Sequence, residues 1–182
     1  LLMSRVNRMQ TLIEGVLEYS RVGRINEGKV LVNTGLLVKD VIENLSPPKT
    51  ITITVDDALP TISFEKTRIS QIFSNLIGNA IKYMDKPEGK IHVGCTREGK
   101  FWKFSIADNG PGIDAKYHEK VFQIFQTLHP RDQKESTGIG LTIVKKIIDM
   151  YGGRIWIESK SGEGSIFYFT LPISVEEKKK KK

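Results

Sequence analysis

The hexapeptide Asp108-Asn109-Gly110-Pro111-Gly112-Ile113 constrains this chain more than any other stretch. It follows Phe101-Trp102-Lys103-Phe104-Ser105-Ile106-Ala107, where apolar and polar residues alternate as in a half-buried strand. The chain therefore leaves a strand on a carboxylate and enters a turn with two glycines around a proline. Glycine permits backbone geometry and close approach that a Cβ would block. A carboxylate beside bare backbone at a strand end can hold a flat ligand that carries an amino group. Taken alone the hexapeptide is equally a plain turn, because Asn-Gly and Pro-Gly pairs are common turn formers.

Two further segments add chemistry. Upstream, Ile69, Ile72, Phe73, Leu76, Ile77, Ala80 and Ile81 recur at helical spacing. Asn75, Asn79 and Lys82 fall at i, i+4 and i+7 on a polar stripe beside that apolar face. An amide oxygen can ligate Mg2+, which takes few protein ligands and completes its shell with phosphates and water. Two amides and an ammonium so aligned suit a metal–polyphosphate; the alternative is the solvated face of an amphipathic helix. Asparagine is a poor helix-interior residue, so two of them one turn apart need a reason. Downstream, Thr137-Gly138-Ile139-Gly140-Leu141 opens a helix whose apolar face is Leu141, Val144, Ile147, Ile148 and Tyr151, stopped by Gly152-Gly153. A glycine-rich helix start presents free N–H groups and the positive end of the helix dipole, which favours phosphate. It is not a P-loop, and a Gly-x-Gly here could also be a tight packing turn.

The 182 residues suffice for one well-buried domain with something left over. Formal net charge is +7; the tail Glu176–Lys182 supplies five positives and two negatives, leaving +4 on the body. A basic body suits a polyanionic nucleotide. No basic helix with interleaved aromatics occurs, so no nucleic-acid partner is expected. The single cysteine, Cys95, excludes an internal disulfide and reads as a small buried hydrophobe. No apolar run is long enough to span a bilayer and no signal peptide precedes the fold. A cytoplasmic setting without membrane insertion is the expectation.

From Leu1 to about Arg24 the chain reads as a separate helix. Leu2, Val6, Met9, Ile13, Val16 and Ser20 are spaced 4, 3, 4, 3, 4, a heptad-like seam that needs a partner. The alternative is a helix folded back on its own domain. Strands follow near Lys29–Val32, Ile51–Val55 and Thr61–Phe64, with a helix near Gly35–Leu45. Hairpins are expected at Lys90–Asp108 and at the C-terminal end. These elements predict a two-layer α/β sandwich, a mixed and largely antiparallel sheet covered on one face by helices, preceded by one N-terminal bundle helix.

In this order the segments resemble the N, G1, F and G2 boxes of the histidine-kinase branch of the GHKL ATP-binding superfamily. Val121-Phe122-Gln123-Ile124-Phe125 stands as the F box, on a short helix. The resemblance runs from about Val30 to Pro172 and includes Gly153–Ser159 and Gly164–Pro172. It implies the catalytic ATP-binding domain of a two-component sensor histidine kinase, with ATP and Mg2+ as cofactors. Residues 1–24 would be part of the second dimerisation helix, 25–175 the catalytic domain, and 176–182 a disordered lysine-rich tail. Asp108 would accept a hydrogen bond from the adenine amino group, with Gly110 and Gly112 letting the pocket close. Asn79 would ligate Mg2+, with Asn75 a second polar group beside the metal and Lys82 a phosphate contact; these three carry the catalytic expectation. Tyr83 would lie beside the nucleotide, and Gly138 and Gly140 would face phosphate. The resemblance also puts Ile113, Phe122, Phe125, Thr137, Ile139, Leu141 and Ser165 at the nucleotide. Residues 126–137 would form a lid based on Phe122 and Phe125, with Arg131 and Lys134 either touching ligand or solvated.

Hydrolytic branches of the superfamily carry Glu where this chain has Asn75, and an amide cannot act as a general base. The implied nucleophile is therefore a histidine imidazole rather than water. None of His92, His118 and His129 has the acceptor context His-Glu/Asp-x-Arg/Lys-x-Pro. The implied partners are ATP, an acceptor-histidine helix from the same kinase, a response regulator, and a second copy in the full-length kinase. The rival readings are a nucleotide-binding regulatory module without transfer and a GHKL-type ATPase.

Overall fold

The computed structural model describes residues 2–23, 27–124 and 138–173. Phe125, Thr137, the expected lid with Arg131 and Lys134, and the lysine tail lie outside the described residues. Helix α1 (Leu2–Arg21) comes first. It is followed by β1 (Val30–Asn33), α2 (Thr34–Leu45), β2 (Ile51–Val55), β3 (Thr61–Phe64) and α3 (Lys66–Tyr83). The hairpin β4 (Gly89–Glu98) and β5 (Phe101–Asp108) leads to 3-10 turns at Ala115–Tyr117 and Lys120–Phe122, then α4 (Gly140–Met150), β6 (Ile155–Lys160) and β7 (Gly164–Pro172).

The main sheet has five strands in the order β2-β4-β5-β7-β6. Only β2 and β4 are parallel; the other pairs are antiparallel. Strand β1 does not join it but pairs with β3 in a separate antiparallel ribbon, Val32 opposite Ile62. Period two along each strand sorts the side chains onto two faces. Ile91, Val93, Phe104, Ile106, Ile157, Phe167, Phe169 and Leu171 are buried on the inner face. The outer face carries Thr54, His92, Lys103, Trp156 and Tyr168, the last two stacked with centroids 5.2 Å apart.

Helices α2, α3 and α4 form the second layer, α3 lying between the other two. Helix α2 begins on a side-chain cap: Asn33 Oδ1 accepts from Leu36 N at 3.0 Å. Helix α3 buries Ile69, Ile72, Phe73, Leu76 and Ile77, and α4 buries Ile143, Val144, Ile147 and Ile148. At the centre Phe73 meets Phe104 and Phe169 edge-on, each at 5.6 Å, while those two rings stack at 5.0 Å. The short helix expected at the F box is a 3-10 helix of three residues, Lys120–Phe122, rather than an α-helix, and Phe125 lies outside the described residues.

Helix α1 serves two purposes. Leu12 and Tyr19 pack on the domain core, and Val22 just beyond the helix is buried there. Its heptad row Val6, Met9, Ile13 and Val16 remains exposed.

The central ring cluster should dominate stability. Phe169→Ala is expected to destabilise the fold by about 3–5 kcal/mol in urea unfolding, as large core truncations do. Leu31, 80% exposed on the β1 ribbon, provides the control: its change to alanine should stay within about 0.5 kcal/mol.

Candidate functional site

Asp108 is the last residue of β5 and lies on the inner face, opposite Ile91 on one side and Ser165 on the other. Its Oδ1 accepts from Gly110 N at 2.8 Å. Burial pushes the carboxyl above its ordinary range, and the neighbouring charge of Asp85 adds to this; hydrogen bonds from the Gly110 and Ser165 backbone pull the other way. A half-buried carboxylate with two backbone donors is a pre-oriented acceptor.

The turn after Asp108 is locked on both sides. Asn109 Oδ1 accepts from Lys90 N at 2.7 Å and its Nδ2 donates to Glu88 O at 3.0 Å. This fixes the turn to β4. On the other side, Gly112 has φ +69°, and a Cβ there would lie 2.0 Å from Lys160 O. Gly164 has φ +95°, and its Cβ would lie 2.1 Å from Asp108 O. The bareness of Gly112 is thus used against the β6–β7 connection. Ile113 N donates to Ser159 Oγ at 2.7 Å, and Gly162 N donates to Pro111 O at 2.6 Å.

The polar stripe of α3 meets the start of α4. Asn75 Nδ2 donates to Gln71 O at 2.9 Å, one turn back. That bond explains how an asparagine sits inside this helix and leaves Oδ1 facing α4. A Cβ on Gly140 would lie 2.5 Å from Asn75 Oδ1. Asn79 follows one turn on, half-buried. Lys82 is exposed, its Nζ 5.7 Å from the Tyr83 ring centre. Among the described residues no side chain caps the start of α4, and a helix start presents N–H groups that suit an anion. Gly138 has φ +67°. No group of three or more His, Cys, Asp or Glu side chains that could hold a metal occurs among the described residues. Amide oxygens such as those of Asn75 and Asn79 suit a cation that takes most of its ligands from phosphate and water.

The expected residues fall into groups. The structure brings Asn75 to Gly140, and Asp108 to Gly110 and Ser165. Ile139 is 1% exposed and packs over Gly15 of α1, where a Cβ would lie 2.6 Å from its Cδ1; it anchors the turn rather than lining an open surface. Leu141, Ile113 and Phe122 are half-buried against the core, and Phe122 meets Phe167 edge-on at 6.3 Å. Phe125 and Thr137 lie outside the described residues.

Sequence reasoning passed over several residues. Ser159 continues the inward row Ile155, Ile157 on β6, a polar residue at an apolar position, and that signal was available. Gln71 pairs with Glu18 of α1, and Lys146 of α4 donates to Tyr19 O at 2.7 Å. No local pattern announces such contacts between α1 and the domain. Cys95 is half-buried; burial and then the nearby Asp56 hold its thiol up to about 12, which leaves it unreactive at neutral pH.

The family model described as histidine kinase-, DNA gyrase B-, and HSP90-like ATPase matches residues 64–175. Cyanobacterial phytochrome A of Nostoc sp. is 42% identical over 178 residues, which is 97% of this chain and 23% of that protein. The chain thus spans under a quarter of the length of three curated relatives it matches. Full-length ShkA in complex with AMPPNP superimposes with TM-score 0.77 and 27% identity over 91% of this chain and 36% of that one. Histidine kinase ThkA, in complex with response regulator protein TrrA, does so with TM-score 0.71 and 28% identity over 94% of this chain and 49% of that one.

The Asp108 carboxyl, held above its ordinary value of 3.8, binds more protons in the folded state across the pH window between that value and its raised one. Stability from this group is therefore highest below the window and falls as pH rises through it, so the ionised form opposes folding at neutral pH. Asp108→Asn should gain stability over the unaltered chain at pH 7, and the gain should vanish in acid. Urea midpoints followed across pH check this; a difference that does not change with pH would contradict it.

Proposed function

We propose, from the premise that this chain belongs to the family of histidine kinase-, DNA gyrase B- and HSP90-like ATPases, that it binds Mg2+-ATP and transfers the γ-phosphoryl group to a histidine on a helix outside these residues. The observation that carries the reading is the meeting of Asn75 Oδ1 with Gly140 at the uncapped start of α4. That contact puts an amide stripe beside a helix N-terminus, in the helix layer that covers the sheet face on which Asp108 lies. The AMPPNP bound by ShkA supports a triphosphate ligand.

In this reading Asp108 accepts from the adenine amino group, and the turns locked around it hold it there. The N–H groups opening α4 and the Lys82 ammonium meet the phosphates. Asn79, with Asn75 beside it, would hold Mg2+, which when bound neutralises charge across the phosphates. Phosphoryl transfer depends on positioning and charge neutralisation more than on covalent help. An imidazole nitrogen of the acceptor forms a bond to the γ-phosphorus as the bond to the bridging oxygen breaks, and ADP leaves. Asn75 offers no base to activate water, which favours the imidazole as nucleophile.

Helix α1, with its exposed heptad row, reads as part of a dimerisation helix, and residues 25–175 as the catalytic domain. The response regulator bound by ThkA suggests the class of protein that would receive the phosphoryl group next. No helix among the described residues is long and apolar enough to cross a membrane, in keeping with a cytoplasmic part of a sensor kinase.

Asp108→Asn turns an amide NH2 toward the adenine amino group. ATP affinity measured by calorimetry should fall by about 1–3 kcal/mol, the cost of an unmatched buried polar group. An unchanged affinity would reduce Asp108 to a turn residue.

With γ-labelled ATP, the chain should label a separately supplied acceptor-histidine helix and leave its own three histidines unlabelled. Asn79→Ala should suppress that transfer far more than it weakens binding of metal-free ADP. Equal transfer by both chains would remove Asn79 from the metal site, and rapid ATP hydrolysis without an acceptor would favour the hydrolytic branch instead.

A further inference from the structure

Ser159 has three oxygen or nitrogen neighbours at hydrogen-bond distance. Its Oγ lies 2.7 Å from Ile113 N, 2.8 Å from Gly164 O and 3.0 Å from Ser165 Oγ. A hydroxyl has one proton and two lone pairs. The Gly164 carbonyl carries no hydrogen, so the Ser159 proton must go to it. The Ile113 N–H takes one lone pair. The contact with Ser165 then requires Ser165 to donate into the second. Ser159 is thereby saturated, and the only hydroxyl proton of Ser165 is committed away from its surroundings.

Ser165 stands directly opposite Asp108 in the β5–β7 ladder, on the same inner face, and is 6% exposed. Its backbone N–H bonds the Asp108 carboxylate. An ionised carboxylate accepts and cannot donate. With its proton held by Ser159, the Ser165 oxygen can only accept as well. The two groups form one edge without a free proton.

We propose that Ser159 is a positioning residue that sets base specificity: by holding the Ser165 proton it keeps the Asp108–Ser165 edge acceptor-only. Such an edge admits a 6-aminopurine, whose amino group offers two hydrogens, directly or through one water. It opposes a 6-oxopurine, whose carbonyl oxygen would face two acceptors. The inference rests on the nucleotide reading above, in which the base sits at Asp108.

Removing the Ser159 hydroxyl frees the Ser165 proton to turn toward the base. The test is calorimetric binding of ATP and of GTP to the unaltered chain, Ser159→Ala and Ser159→Thr. Ser159→Ala should lower the ratio of ATP to GTP affinity about tenfold, the scale of one mismatched polar contact. Ser159→Thr, which keeps the hydroxyl, should restore it. A purely structural role would weaken both nucleotides alike and leave the ratio unmoved, and that result overturns the inference. Should Ser159→Ala fail to fold, Ser165→Ala keeps the bridges from Ser159 to Ile113 and Gly164; it should lower the same ratio, and an unchanged ratio there overturns the inference too. If the unaltered chain binds neither nucleotide, the nucleotide reading falls and this inference falls with it; ATP binding with an unresponsive ratio removes this inference alone.

Discussion

Three phenylalanines decide where everything else stands. Phe73 of α3 is pinned edge-on between Phe104 and Phe169, cross-strand partners at the middle of the sheet. All three are fully buried. Asp108 lies four residues beyond Phe104 on the same face, about 13 Å along the strand at the usual rise. Asn79 lies six residues beyond Phe73, about 9 Å along the helix axis. One packing contact therefore sets the register of both polar groups. A slip of α3 by one turn would carry Asn75 away from Gly140 and leave Phe73 without its socket.

Much of this arrangement was legible in the chain. Strands β4 and β5 alternate cleanly, and α3 and α4 show an unbroken helical apolar row. The limits of β4 and β5 could be read almost to the residue, whereas α3 begins at Lys66, ahead of the first residue of its apolar row at Ile69. The G1 hexapeptide and the Asn75–Asn79 stripe were legible because the side chains that matter are close in sequence. What could not be read was pairing between distant segments. Nothing in Val30–Asn33 says that it will leave the main sheet to form a ribbon with Thr61–Phe64, and nothing in Ile51–Val55 says that it will run parallel to β4. The 3-10 form of Lys120–Phe122 escaped for the opposite reason: three residues are too few to show a period. Helix α1 was legible as a helix with a seam. Its second face was not, since the notch at Gly15 has meaning only once Ile139 is beside it.

The carboxylate site combines two opposed demands. Asp108 is held in a surrounding that disfavours its charge, and backbone donors from Gly110 and Ser165 only partly offset this. A group less buried would be easier to ionise and, under the proposed function, a poorer reader of a base edge. The surrounding turns hold Asp108 in place: Asn109 ties the corner to β4, and Ser159 ties it to β6 and β7. The rigidity of this corner comes from hydrogen bonds between three segments, whereas that of the helix layer comes from apolar packing.

The close approach of Gly112 to Lys160 and of Gly164 to Asp108 bears on how such a corner can be mapped. Neither glycine has a side chain to delete, so truncation scanning, which asks what is lost when atoms are removed, is blind to both. Each contributes by leaving room. Only adding atoms exposes that contribution, and a survey that counts essential side chains will draw the corner smaller than it is. The part it omits is bare main chain, a shape that two distant stretches of the polypeptide share and that neither possesses alone.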